Sequence, residues 1–95
     1  MTVKLVYTDV AIEDLKRLRA FIAVHNPPAA ARVATELVDR IRLLPDFPEM
    51  GTPVELAPVP GSIRDIVFGR YVVRYSVHVS AVIILRVWHS LEGER

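Results

Sequence analysis

The sequence predicts an α+β fold of order β-α-α-β-β-β, with an N-terminal helical hairpin packed on one face of an antiparallel sheet. Three observations predict it. A short β-rich run, Val3–Tyr7, precedes two stretches whose apolar residues recur at helical spacing, and a diproline separates the two. The last third, Gly61–His89, is instead dense in β-branched and aromatic residues and is interrupted by turns. One helical hairpin covers a single face of such a sheet, so the other face is expected to be open.

Val3-Lys-Leu-Val-Tyr7 alternates weakly and consists mainly of β-formers, which reads as the first strand. Thr8 and Asp9 supply N-cap chemistry, and Asp9, Glu13 and Asp14 place negative charge where the helix dipole favours it. Ala11, Leu15, Leu18 and Ile22 then fall on one helical face, with Lys16, Arg17 and Arg19 off it. The helix should end near His25-Asn26, because a residue before proline avoids helical geometry. Pro27 or Pro28 suits the first turn of a second helix, whose apolar face is Ala30, Ala34, Leu37, Ile41 and Leu44. So short a connection makes the helices antiparallel. Breakers from Pro45 to Pro53 and from Pro58 to Gly61 mark loops. Phe68-Gly69 is a tight turn between Ile63–Val67 and Arg70–Val77. Alternation puts Tyr71, Val73, Tyr75 and Val77 on one face, expected beneath the helices, and Arg70, Val72, Arg74 and Ser76 on the other. Ala81–His89 is apolar on both faces apart from Arg86 and His89, as befits a central strand.

Length and composition narrow the function classes. Ninety-five residues fit one domain, 1–95. A hydrophobic content of 52% is high for so small a chain and points to a surface covered by a partner or a second copy. The absence of cysteine excludes disulfides and thiolate metal sites. His25, His78 and His89 have no metal-ligand spacing, and lone glycines make no phosphate loop, so no metal or cofactor is expected. Met1-Thr-Val-Lys lacks the pattern of a secretory signal, and no apolar run is long enough to span a bilayer; the expectation is a cytoplasmic protein without a membrane partner. The net charge of +1 argues against a general nucleic-acid binder. Locally the balance differs, since Arg64, Arg70, Arg74 and Arg86 face a single acid, Asp65, between Gly61 and Ser90.

Taken in order, Asp14-Leu15, Asn26-Pro27 with Ala29-Ala30, Pro48-Glu-Met-Gly51, Arg64, Tyr71-Val-Val-Arg-Tyr75 and Arg86-Val-Trp-His89 carry a family likeness. The chain resembles the RelE/ParE toxin superfamily, and most of all its ParE branch, the plasmid-stabilisation proteins of type II toxin–antitoxin modules. The resemblance implies an open sheet face and a small antitoxin whose C-terminal segment folds along the toxin, as a heterotetramer or beside a toxin homodimer. It also implies one of two targets. RelE-like toxins cleave messenger RNA on the ribosome. ParE-like toxins poison DNA gyrase without known hydrolytic chemistry, and so reach nucleic acid only indirectly. A degenerate toxin that merely binds its antitoxin is a third reading.

Cleavage of RNA by its own 2′-hydroxyl needs a base, cations for the phosphate and an acid for the leaving oxygen. If the chain were such a nuclease, Arg64, Arg74, Arg86 and His89 would be its catalytic set, Arg64 matching the arginine these toxins carry on the second strand. His89 is the residue suited to proton transfer near neutral pH. However, no lysine follows Lys16, and His89-Ser-Leu-Glu-Gly-Glu-Arg95 holds no tyrosine. The expectation is therefore a binding face, formed by Arg64, Arg70, Arg74, Arg86, Trp88 and His89. For the arginines the bland alternative is neutralisation by Asp65, Glu55 or acids near the C-terminus, and for Trp88 it is packing.

Overall fold

A computed structural model describes residues 3–93. Its elements are β1 (Lys4–Tyr7), α1 (Asp9–His25), α2 (Pro27–Ile41), β2 (Thr52–Pro53), β3 (Ile63–Phe68), β4 (Tyr71–Val77), β5 (Ala81–His89) and a 3-10 turn, Ser90–Glu92. The α+β order expected from the sequence is present, with one addition, the two-residue strand β2.

Local chemistry explains the boundaries. Thr8 Oγ1 accepts the Ala11 N–H at 3.0 Å and donates to the Ile84 carbonyl at 2.9 Å, so one hydroxyl caps α1 and ties its start to β5. Asn26 serves both helices. Its N–H reaches the Ile22 carbonyl at 2.8 Å, while its Oδ1 accepts from Ala29 at 3.2 Å, with Pro27 and Pro28 opening α2. Gly69, at φ 61°, turns β3 into β4 in a conformation that favours glycine.

The sheet runs β1-β5-β4-β3-β2. β3, β4 and β5 pair antiparallel, and β2 joins β3 in the same sense. β1 instead lies parallel to β5, in register Lys4↔Ala81 to Tyr7↔Ile84, so the sheet is mixed and only mostly antiparallel. β5 is an interior strand, flanked by β1 and β4. Within it, Tyr75 pairs with Ile84 and Arg74 with Arg86, so Leu85 forms a bulge. The bulge moves the core-facing set from Val82 and Ile84 to Val87, a change of parity that simple alternation does not anticipate.

The core lies between the helices and one sheet face. Ala11, Leu18, Leu37, Ile41 and Leu44 meet Ile66, Val73, Tyr75, Val82, Ile84 and Val87, all buried. Tyr75 is fully enclosed and Tyr71 packs at the margin, both beneath the helices as expected. No helix among the described residues is long and apolar enough to cross a membrane.

Candidate functional site

The fold divides the arginines that the sequence groups together: Arg64 is set apart from Arg74 and Arg86, which are cross-strand neighbours, and these three are each committed to a different partner. Register puts Arg64 opposite Tyr75, hence on the helix-covered side of β3 rather than on the face of Arg74. There its Nη1 donates to the Gly51 carbonyl at 2.9 Å and its Nε to that of Gly61 at 3.1 Å. Tyr75 completes the arrangement, its hydroxyl accepting from the Gly51 N–H and donating to the Pro48 carbonyl, both at 2.8 Å. Burial pushes the Tyr75 phenol up, which keeps the hydroxyl proton available for Pro48. Arg64 and Tyr75 thus hold the Pro48–Gly51 loop.

Arg74 lies on the opposite face. Its Nε and Nη2 reach the two oxygens of Asp65 at 2.8 and 2.9 Å, a bidentate pair across neighbouring strands. Its guanidinium carbon also sits 5.2 Å above the Trp88 ring. Trp88 is only 5% exposed, so it is packed and does not stand out as a surface anchor. Arg70, in the β3–β4 turn, is exposed and forms part of a groove with Glu36, Arg40, Phe68 and Tyr71.

Arg86 is directly opposite Arg74 in the sheet, a pairing of like charges that is unfavourable unless each finds a carboxylate. Asp14 provides the second one. Arg86 Nε and Nη2 donate to Asp14 at 2.8 and 3.1 Å, Arg17 Nη1 donates at 2.6 Å, and the Val87 N–H donates at 2.9 Å. The Val87 N–H follows the bulge, beyond the last residue that β1 pairs, and Asp14 takes the place of a strand partner there. Burial alone would raise the carboxyl, but the hydrogen bonds from Arg86, Val87 and Arg17 outweigh it and hold Asp14 at about 2. From the sequence, Asp14 belongs to the helix-dipole set and to the family likeness, but nothing there marks it as the partner of Arg86. The signal that marks it is position, since an acid stands on the buried face between Ala11 and Leu18.

His89 closes the strand. Its Nδ1 accepts the Leu91 N–H at 3.1 Å, its own N–H reaches Glu92 Oε1 at 3.0 Å, and its ring meets Tyr71 edge-on at 5.1 Å. With Nδ1 accepting, the neutral ring carries its proton on Nε2. Arg17 binds Glu92 through Nε at 3.2 Å and Asp14 through Nη1, so the cation beside His89 already serves two carboxylates. Arg64, Arg74, Arg86 and His89 therefore do not converge on one site. His25 and His78 are exposed, and no group of acids and histidines among the described residues is arranged to hold a metal.

The sequence profile of the ParE toxin of type II toxin–antitoxin systems (parDE) matches residues 5–92. The chain belongs to the ParE toxin family. It is similar to Toxin RelE1 of Caulobacter vibrioides, with 34% identity over 94 residues, 97% of this chain and 98% of that one. Toxin RelE2 of the same organism is also 34% identical, over 92% of this chain and 94% of its own. Among solved structures, the chromosomal ParDE system from P. aeruginosa superimposes with a TM-score of 0.80 over 93% of this chain and 96% of that one. At 20% identity that likeness concerns the fold alone. The RelBE2 toxin–antitoxin complex of Mycobacterium tuberculosis matches with a TM-score of 0.69 at 26% identity, covering 94% of this chain and 99% of the other.

Proposed function

We propose that this ParE-family chain is the toxin of a type II toxin–antitoxin pair, held inactive by a cognate antitoxin, and that it acts by binding DNA gyrase and stabilising a cleaved gyrase–DNA intermediate. Its place of action would be the cytoplasm, and its benefit to a replicon would be plasmid stabilisation. One observation carries the choice of a binding mechanism: the groups a ribonuclease would need are spent on the chain's own structure. Arg74 is held by Asp65, Arg86 by Asp14, and Arg64 by loop carbonyls, while His89 Nδ1 caps the C-terminal turn. No lysine after Lys16 replaces them. An antitoxin that folds on binding needs apolar surface to cover, and Phe21, Val24 and Leu91 at the end of α1 and in the adjoining turn are 59–81% exposed. Arg70 remains the exposed arginine of the expected binding set.

A ribosome-dependent messenger RNA endonuclease is the second reading, favoured by the RelE names of the two Caulobacter relatives. Expression without an antitoxin separates the readings. Filamentous cells with damaged DNA support gyrase poisoning, and abrupt translation arrest with cleaved messages refutes it. Unimpeded growth marks a degenerate toxin that only binds its antitoxin.

A further inference from the structure

We propose that the turn from Leu43 to Met50 is a preorganised docking surface for a partner protein that presents a basic, apolar segment. Leu43, Phe47 and Met50 are 47, 60 and 44% exposed and follow one another along a short run of turns. Their backbone is anything but loose. Phe47 and Met50 donate to the Leu43 and Phe47 carbonyls at 3.0 and 3.1 Å, and Leu44 beneath them is fully buried.

The far end is fixed from inside by the Tyr75 hydroxyl on Pro48 and Gly51 and by Arg64 on Gly51. Gly51 admits that approach because it has no side chain: a Cβ there would lie 2.7 Å from the Tyr75 hydroxyl oxygen and 2.9 Å from the Asp65 carbonyl oxygen. A loop held this firmly presents its apolar side chains to solvent with little entropy left to lose on binding.

Charge identifies the occupant. Asp46 and Glu49 are exposed, alternate with Phe47 and Met50, and form no ion pair among the described residues. Arg64 is turned beneath the loop to its carbonyls and, among the described residues, pairs with neither carboxylate. A second copy of the chain docking here about a twofold axis would bring the same acids together. A segment that alternates apolar and basic residues fits both features of the surface.

The test uses the purified chain with an amphipathic leucine–lysine peptide as probe, and the same peptide with glutamate for lysine as control. Amide shifts confined to residues 43–51, at least about tenfold weaker affinity in Phe47→Ser, and no binding to Asp46→Lys/Glu49→Lys are expected. Circular dichroism confirms that both variants fold. No shifts, shifts elsewhere, or equal binding of the glutamate peptide overturn the proposal. So does self-association that Phe47→Ser abolishes, which would make the occupant a second copy. Toxicity plays no part in this readout, so its failure leaves the proposed target untouched.

Discussion

Replacing Asp14 tests the account of how α1 is locked to the sheet. In Asp14→Asn the side chain keeps its shape and can still accept the Val87 N–H, but the charge that Arg86 and Arg17 share is gone. The Asp14 side chain is 3% exposed, so solvent screens the interaction little. A carboxyl brought from 3.8 to about 2 on folding contributes roughly 2.5 kcal/mol at neutral pH. The Asn variant should lose about that amount. Asp14→Ala should lose about 3–5 kcal/mol, because it also strands the Val87 N–H and leaves two arginines facing each other's charge. Against a typical total of about 5–15 kcal/mol, either loss is large. Urea denaturation followed by the fluorescence of Trp88, the chain's one tryptophan, measures it. The folded carboxyl lies below its unfolded value, so its contribution is complete above about pH 4 and fades as the pH falls through 2. The gap between wild type and Asp14→Asn should narrow over that window. A neutral-pH loss below about 0.5 kcal/mol, or a gap of constant size down to pH 2, would show that the Asp14 charge does not hold α1 to the sheet.

Other substitutions probe the loop and the C-terminal turn. Gly51→Ala forces a Cβ against Tyr75 and Asp65, and should cost about 1–3 kcal/mol in the same denaturation assay. Tyr75→Phe removes a hydroxyl that serves Pro48 and Gly51 at once, and should cost about 1–3 kcal/mol with faster amide exchange at Gly51. His89→Ala deletes the cap on Leu91, and should cost about 0.5–1 kcal/mol while leaving toxicity intact in a growth assay.

The local elements were legible because their causes are local. Ala11 and Leu18 on one helix, and Ala30, Leu37 and Ile41 on the other, occupy the buried faces that their spacing indicates. Asn26-Pro27-Pro28 marks the break between the helices, and Gly69 marks the turn into β4. The tyrosines of β4 lie beneath the helices because that strand carries no bulge to alter its alternation. What sequence order hides is pairing between distant segments. The composition of β1 signals a strand but not that it runs parallel to β5, some eighty residues away. The bulge at Leu85 carries neither glycine nor proline to announce it. Arg64 looks equivalent to Arg74 until the β3–β4 register sets it opposite Tyr75, on the other side of the sheet. The arginine face was therefore the least legible feature, since it depended on register, on a bulge and on Asp14 from a helix far earlier in the chain.

Purified components separate a toxin that binds gyrase from one that cuts RNA. The chain is added in parallel to DNA gyrase with supercoiled plasmid and to a translating ribosome extract with a labelled message. Trapped, cleaved gyrase–DNA complexes and an intact message are expected. Cleavage of the message, with gyrase unaffected and the cleavage lost in His89→Ala, would contradict gyrase poisoning.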